Sequence, residues 1–432
     1  MKLRRIIITS FISLLIPLQA SALEYENAGD FLSDLYNNVF DKNEGVYSFK
    51  SLLIPFGGRS ESLGSAYTGL GDDISYLKYN PAAGSIQSET QLSLFHNSWI
   101  ADSQQETIAY TTRAKNKPNL SYGGYLSSFF VPFTEYNIFG ERVAANYFSE
   151  TTAAINVSYN FLSGYNFRGI AVGGNLKTAW RGIPDYTDKT TDAIIPQSGL
   201  SQCGLAIMGD FGIMTQFNLL KYYSSREANV RIGVSLQNLG VAFTGFGDEI
   251  VLDSPLPTLL ALGISVKFIK PVTLSMDYTQ PLNLEGGDWP TPFMSLGASV
   301  QFTQFVSLLT GFQFKGGNPR FSLGLEFEVT KIRFNMNYTL DFTSSVSPIN
   351  RFSISTKILF GDKGRSLVDE KIDELYRQGL QLYAQGEWQS AIDIWNEILK
   401  INKRFDPAIK GIQSAQNQLI MFEKIRDSLI FD

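Results

Sequence analysis

The chain has 432 residues, of which 18% are charged, with 32 Phe, 20 Tyr and a formal net charge of -5. Soluble domains carry about a quarter charged residues, so few charges beside many aromatics suit a wall that faces lipid between aromatic girdles. An acidic balance without a basic cluster excludes a nucleic-acid binder, and a single histidine (His96) with a single cysteine (Cys203) leaves no Cys/His metal site, Cys–His catalysis or intrachain disulfide to expect.

Residues 1–22 read as a secretory signal: Lys2, Arg4 and Arg5 precede an apolar run over 6–18, and Ala20-Ser21-Ala22 forms a small-residue cleavage site. No apolar run of 18 or more follows, so no transmembrane helix is expected. Over residues 23–56, Phe31, Leu35 and Val39 recur at helical spacing with Leu32, Tyr36 and Phe40, after Asp30 as a candidate N-cap. That predicts a short amphipathic helix packed under whatever follows.

Residues 57–84 are too rich in glycine and small side chains for a strand. Gly57-Gly58-Arg59, Gly64, Gly69, Gly71 and Asp72-Asp73 lead to Asn80-Pro81-Ala82-Ala83-Gly84. Glycines let backbone pass close to a surrounding wall, and Asn-Pro pins a turn. The paired aspartates suggest either a cation site or caps on backbone N–H groups, and the second is commoner in a glycine-rich turn.

From about residue 88 to 360 the hydropathy alternates with period 2. Ile332, Phe334, Met336, Tyr338 and Leu340 oppose Arg333, Asn335, Asn337, Thr339 and Asp341; Val272, Leu274, Met276 and Tyr278 oppose Thr273, Ser275, Asp277 and Thr279. A soluble sandwich also alternates, but the punctuation here is different. Strands are predicted near 88–99, 104–114, 119–133, 151–162, 167–181, 201–216, 228–240, 258–268, 271–280, 292–302, 304–315, 320–330, 331–342 and 350–360. Most exceed the usual soluble length of about 5 or 6 residues and reach the roughly 9 to 11 that a tilted membrane strand needs. Turns near 115–118, 163–166, 217–227, 269–270, 303 and 330–331 are mostly short, while 134–150, 182–200, 241–257 and 281–291 are long and polar. That asymmetry is the one outer-membrane barrels show. The fold class expected is all-β: a fourteen-stranded antiparallel barrel over 88–360, plugged by residues of about 50 to 87, the amphipathic helix and plug together making a unit over 23–87.

After Phe360 the pattern becomes helical. Helices are predicted over 367–385, 388–402 and 407–429. Gly379, Gly386, Trp388, Ala391, Trp395 and Leu399 resemble a tetratricopeptide unit, with small residues where helices cross and tryptophans filling the groove. A generic helical hairpin is the alternative. A lone repeat needs support, so this tail (361–432) is expected to lean on a third helix, the barrel rim or a periplasmic partner.

The Gly-Arg, Gly-x-Ala, Asp and Asn-Pro-Ala series ahead of a barrel resembles the N-terminal hatch of the FadL family of outer-membrane hydrophobic-compound transporters. The resemblance implies fourteen strands, a hatch containing Arg59, Gly64, Asp73, Asn80, Pro81 and Ala82, and passive uptake of hydrophobic ligands such as long-chain fatty acids. It also implies a kink in the third strand that opens a lateral gap, here at Gly123-Gly124, with Phe129 and Phe130 beside an apolar exit. A simple bend or close packing against the hatch is the other reading of those glycines. Ligand-pocket residues cannot be carried over, since no motif aligns them. The chain departs from FadL in its tail; an uncharacterised spirochaetal outer-membrane family that resembles FadL carries one. The strand ending Lys357-Ile358-Leu359-Phe360 looks like the terminal signal read by barrel-assembly machinery, although here it is internal.

An outer-membrane location with both termini periplasmic follows as an expectation. An outer-membrane phospholipase would have to use His96, which in Phe95-His96-Asn97-Ser98-Trp99 reads better as an interfacial residue, so no enzyme, cofactor or metal is expected. The competing function is a scaffold that recruits periplasmic or secreted proteins through the tail.

Overall fold

A computed structural model describes residues 47–430, apart from 101, 116, 118, 166, 189, 190, 192, 224, 226, 248, 285–289, 316, 317 and 342–348. The expected signal and the amphipathic helix around 30–40 lie outside the described residues. Fifteen strands form one sheet. They are β1 (Gln91–Ser98), β2 (Gln104–Arg113), β3 (Leu120–Tyr136), β4 (Arg142–Phe161), β5 (Ile170–Gly182), β6 (Gly204–Phe217), β7 (Val230–Thr244) and the two-residue β8 (Val251–Leu252). The series continues with β9 (Thr258–Ile269), β10 (Val272–Leu282), β11 (Phe293–Gln301), β12 (Val306–Lys315), β13 (Asn318–Val329), β14 (Ile332–Asp341) and β15 (Ile349–Leu359). β8 hangs on the edge of β7. The other fourteen pair antiparallel in sequence order, and β1 closes the ring on β15 from Gln91↔Leu359 to Ser98↔Phe352. Closure leaves no open sheet edge.

The two faces of each strand carry the chemistry opposite to a soluble sandwich. On β14, Asn335, Asn337, Thr339 and Asp341 are buried, while Ile332, Met336 and Tyr338 are exposed. On β10, Ser275, Asp277 and Thr279 are buried while Leu274 and Tyr278 are exposed. Polar side chains therefore face a filled lumen and apolar ones face outward. That arrangement is stable where the surroundings are themselves apolar.

One end of the barrel carries the turns 270–271, 302–305 and 330–331; the other carries the long connections 183–203 and 245–257. The long loop expected over 134–150 is instead mostly strand. β3 and β4, 17 and 20 residues long, stay paired up to Glu135↔Ala144 and Tyr136↔Arg142. Only 137–141 turns, with Asn137 Oδ1 accepting from Phe139 N at 3.0 Å and Glu141 N at 2.9 Å. The Asn, Glu and Gly residues that suggested a loop are confined to that hairpin tip, and Val131↔Phe148 continues the alternation below it.

The described chain starts at the loop end. Ser48 N donates to Pro255 O at 3.1 Å, and Phe49 and Leu52 bury with Ala179, Ala206, Met208, Ala242 and Leu256. It then descends through the lumen and leaves at the turn end, where Thr90 and Phe360–Gly361 exchange backbone hydrogen bonds. Helices α3 (Arg365–Ala384), α4 (Trp388–Ile401) and α5 (Asp406–Ile430) follow. Trp395 is buried between Gly379 and Gly411, whose missing Cβ atoms make room for its ring. Gly386 takes φ +83° in the turn before α4, and Ala391 is buried beside Trp395. The tail touches the barrel where Tyr165, in the β4–β5 turn, meets Phe405 edge to face with ring centres 5.0 Å apart.

Candidate functional site

The lumen is occupied by residues 47–90, and the sequence dictates how closely they can fit. Gly57 and Gly58 have φ +99° and +62°, a left-handed path that starts α1 (Arg59–Ser62) beneath Ser353 and Ser355. At several inward positions of the wall where backbone comes close to backbone, the residue is glycine. A Cβ at Gly311 would stand 2.6 Å from Gly64 Cα, one at Gly173 2.8 Å from Ala82 Cα, and one at Gly212 3.1 Å from Ala82 N. These positions face each other in the sheet as Gly173↔Gly212, Gly233↔Gly263 and Gly297↔Gly311. The wall is shaped to the segment that fills the lumen.

Ion pairs fix it in register. Arg59 Nη2 lies 2.6 Å from Asp72 Oδ2 and its Nη1 2.9 Å from Glu326 Oε1 of β13. Tyr67 OH donates to Asp72 Oδ1 at 2.5 Å. Burial pushes the Asp72 carboxyl up, but the Arg59 guanidinium, the Tyr67 hydroxyl and the Arg231 charge together hold it well below the usual carboxylate range. Asp73 Oδ1 accepts from Ser75 N at 2.8 Å, the cap expected of it, and its other oxygen pairs with Lys357 of β15. Lys357 likewise holds Asp73 below its ordinary value against burial. From the wall, Asp277 accepts from Tyr67 N at 2.8 Å and Thr68 N at 2.6 Å. Glu61 takes Ser353 Oγ at 2.8 Å.

The Asn-Pro-Ala turn behaves as its residues require. Helix α2 (Tyr76–Tyr79) ends at Asn80, whose Oδ1 accepts from Ala82 N at 3.1 Å while Nδ2 donates to Thr68 O at 3.0 Å. Pro81 starts a 3-10 turn, Pro81–Ile86, on the inner face of β4, β5 and β6. Arg59, Gly64, Asp73, Asn80, Pro81 and Ala82 thus all lie in the plug. Sequence reasoning missed Glu61, Lys78, Asp277 and Lys357; the last two were visible only as charges on the inward phase of their strands.

The gap expected at Gly123-Gly124 is absent, which corrects the lateral-opening expectation. β3 pairs without interruption on both sides, Thr111↔Gly123↔Asn156 and Tyr110↔Gly124↔Ile155. Gly123 faces the lumen segment, where a Cβ would lie 3.0 Å from Tyr76 Oη and 3.1 Å from Leu77 Cδ2. Its role is close packing. Gly124 faces outward, and Phe129 and Phe130 point to opposite faces, into the lumen and away from it. Gly123→Val is accordingly expected to loosen the hatch by about 1–3 kcal/mol, read as faster hydrogen exchange at residues 76–86. Unchanged exchange would refute the packing role. His96 also faces outward, with Nδ1 2.6 Å from Glu106 Oε1.

The plug separates two chambers. A loop-side cavity of about 570 Å³ has an apolar part made by Ile54, Trp99, Phe129, Phe148 and Phe293, with Lys78, Glu150, Arg181, Arg320 and Arg351 also on its wall. A turn-side cavity of about 590 Å³ is lined by charged groups, including Arg59, Asp72, Arg113 and Arg231, with Arg365 and Asp369 of α3. The first suits an apolar molecule and the second does not.

A model of an uncharacterised protein family, UPF0164, matches residues 33–363. Two proteins of Treponema pallidum (strain Nichols), both described as UPF0164 proteins, are 28% identical over 89% of this chain and 86% of their own, and 25% identical over 90% and 78%. Among solved structures, the CymD monoaromatic hydrocarbon channel aligns with TM-score 0.45 at 15% identity, covering 71% of this chain and 97% of its own. The toluene transporter TodX of Pseudomonas putida aligns with TM-score 0.41 at 12% identity, covering 69% and 97%. Similarity at that level assigns no cargo.

Proposed function

The chain belongs to the family UPF0164, and we propose that it is an outer-membrane barrel for passive uptake of hydrophobic compounds, long-chain fatty acids among them. The observation that carries this reading is the apolar loop-side chamber, enclosed in a closed barrel and stopped by a docked hatch. An apolar outer face and polar lumen fit a lipid setting, and the secretory signal with the Phe352-to-Phe360 strand fits export and delivery by barrel-assembly machinery. The loop end then faces out and the tail lies in the periplasm. With β3 unbroken, cargo leaves past the hatch into the turn-side chamber. Arg59, Asp73, Asn80 and Pro81 form the latch that has to give way. The role is transport, without catalysis or cofactor.

A second reading has one observation of its own. The tail exposes Leu367, Ile420, Met421 and Phe422, which gives a tetratricopeptide-like scaffold a surface for periplasmic or secreted proteins. Oleate binding by the purified protein, with and without residues 362–432, separates the two. Binding that survives removal of the tail supports transport. No binding by either form, with periplasmic proteins co-purifying only with the full chain, supports the scaffold.

A further inference from the structure

Among the described residues, one half-buried cation of the loop-side chamber has no carboxylate beside it. Lys78, in α2, lines the chamber and donates its Nζ to the Ile54 carbonyl, 5.2 Å from the centre of the Phe56 ring. The chamber's arginines are all paired: Arg181 with Asp253, Arg320 with Asp341 at 2.8 Å, and Arg351 with Asp341 at 3.0 Å. The charged groups facing Lys78 from the wall do not answer it either. Lys177 of β5 holds Asp210 of β6 at 2.7 Å, and Glu150 of β4 accepts from Ser51 N at 3.2 Å.

A half-buried ammonium bound only to one carbonyl is incompletely compensated, and an anion placed there would make a charge-assisted hydrogen bond. The chamber supplies the rest of a ligand site, since Ile54, Phe129, Phe148 and Phe293 give it an apolar lining. We propose that Lys78 receives the head group of an amphiphile bearing one negative charge, whose apolar tail fills the loop-side chamber. The inference rests on the uptake reading and adds a specificity that an uncharged hydrocarbon cannot use. The head group takes the place of the Ile54 carbonyl, so ligand arrival also frees Ile54 from the hatch.

The free-state proton affinity gives the proposal a pH signature. Burial, and next the neighbouring Lys177, push Lys78 down to about 7. Raising the pH through that value discharges Lys78 before the ligand arrives, so binding of an anion must then take up a proton and weakens by up to about tenfold per pH unit. An uncharged ligand shows no such change.

The test compares decyl sulfate, ionised at every pH used, with decanol, on the full-length protein in uncharged detergent at pH 6, 7.5 and 9. The wild type is expected to prefer decyl sulfate by about tenfold or more at pH 6 and to lose that preference by pH 9. Lys78→Met should bind both ligands alike at each pH. Lys78→Arg, which stays charged, should keep the preference at pH 9. Retention of the wild-type preference by Lys78→Met, or loss of it by a folded Lys78→Arg, would overturn the proposal. Failure of decanol to bind the wild type would instead count against the uptake reading.

Discussion

Replacing Gly311 with leucine is expected to drive the Leu63–Gly64 turn off the wall while the barrel still assembles. The obstacle is backbone against backbone: the new Cβ would meet Gly64 Cα at 2.6 Å, and no side-chain rotation relieves that. Overpacking of this kind costs about 1–3 kcal/mol even where side chains can move. The strand itself does not suffer, because glycine is a weak strand residue and its replacement favours pairing. The variant should therefore keep heat-modifiable migration while residues 57–87 become cleavable by a protease added to the purified protein. Planar bilayers should show open-channel conductance that the wild type lacks. A segment as protected as in the wild type would mean that the close approach of Gly311 to Gly64 does not hold it.

Asp73→Ala should have an effect of similar or larger size by a different route. It leaves Lys357 charged and fully buried with no partner. Breaking a buried pair on one side costs about 3–5 kcal/mol, because the remaining charge is uncompensated. Replacing both members, Asp73→Ala with Lys357→Met, should recover most of that loss, since a paired apolar substitution removes the desolvation cost as well. Hydrogen exchange of residues 72–80 reads the difference. If the double variant exchanges as fast as the single one, the unpaired charge is not the cause. The pH dependence has a fixed sign. Asp72 and Asp73 titrate below their unfolded values, so their stabilisation is complete above about pH 4 and is lost as pH falls through the lower folded values. The hatch should stay docked through neutral and mildly acidic pH and loosen only in strong acid.

Much of this architecture could be read from the sequence because a barrel wall has a period of two and obvious punctuation. The polar phase of β14, Asn335, Asn337, Thr339 and Asp341, already marked the lumen. Asn80 and Pro81 announced their turn, since capping and a fixed φ are local properties. The pairing of Asp73 with Lys357 was out of reach, because 284 positions separate them and only closure of β1 on β15 brings them together. The wall glycines were visible but ambiguous. Gly123 could be a kink or a seat, and what decides is the Tyr76 ring, which belongs to another part of the chain. The hairpin over 134–150 was misread because Asn137, Gly140 and Glu141 turn sharply and the residues flanking them pair. The start of the described chain at the loop end had no local signal at all, because Ser48 is held there by the carbonyls of Ser254 and Pro255.

On the uptake reading, a plugged barrel passes an apolar compound that the membrane around it holds back. Uptake of radiolabelled oleate tests it, in a Gram-negative host that lacks its own fatty-acid importer and makes this protein in its outer membrane. The expected result is oleate uptake well above the empty host, with no gain in uptake of a small polar sugar of similar mass. Heat-modifiable, surface-labelled barrel in the outer membrane without any oleate uptake would contradict the account, and so would equal passage of the sugar.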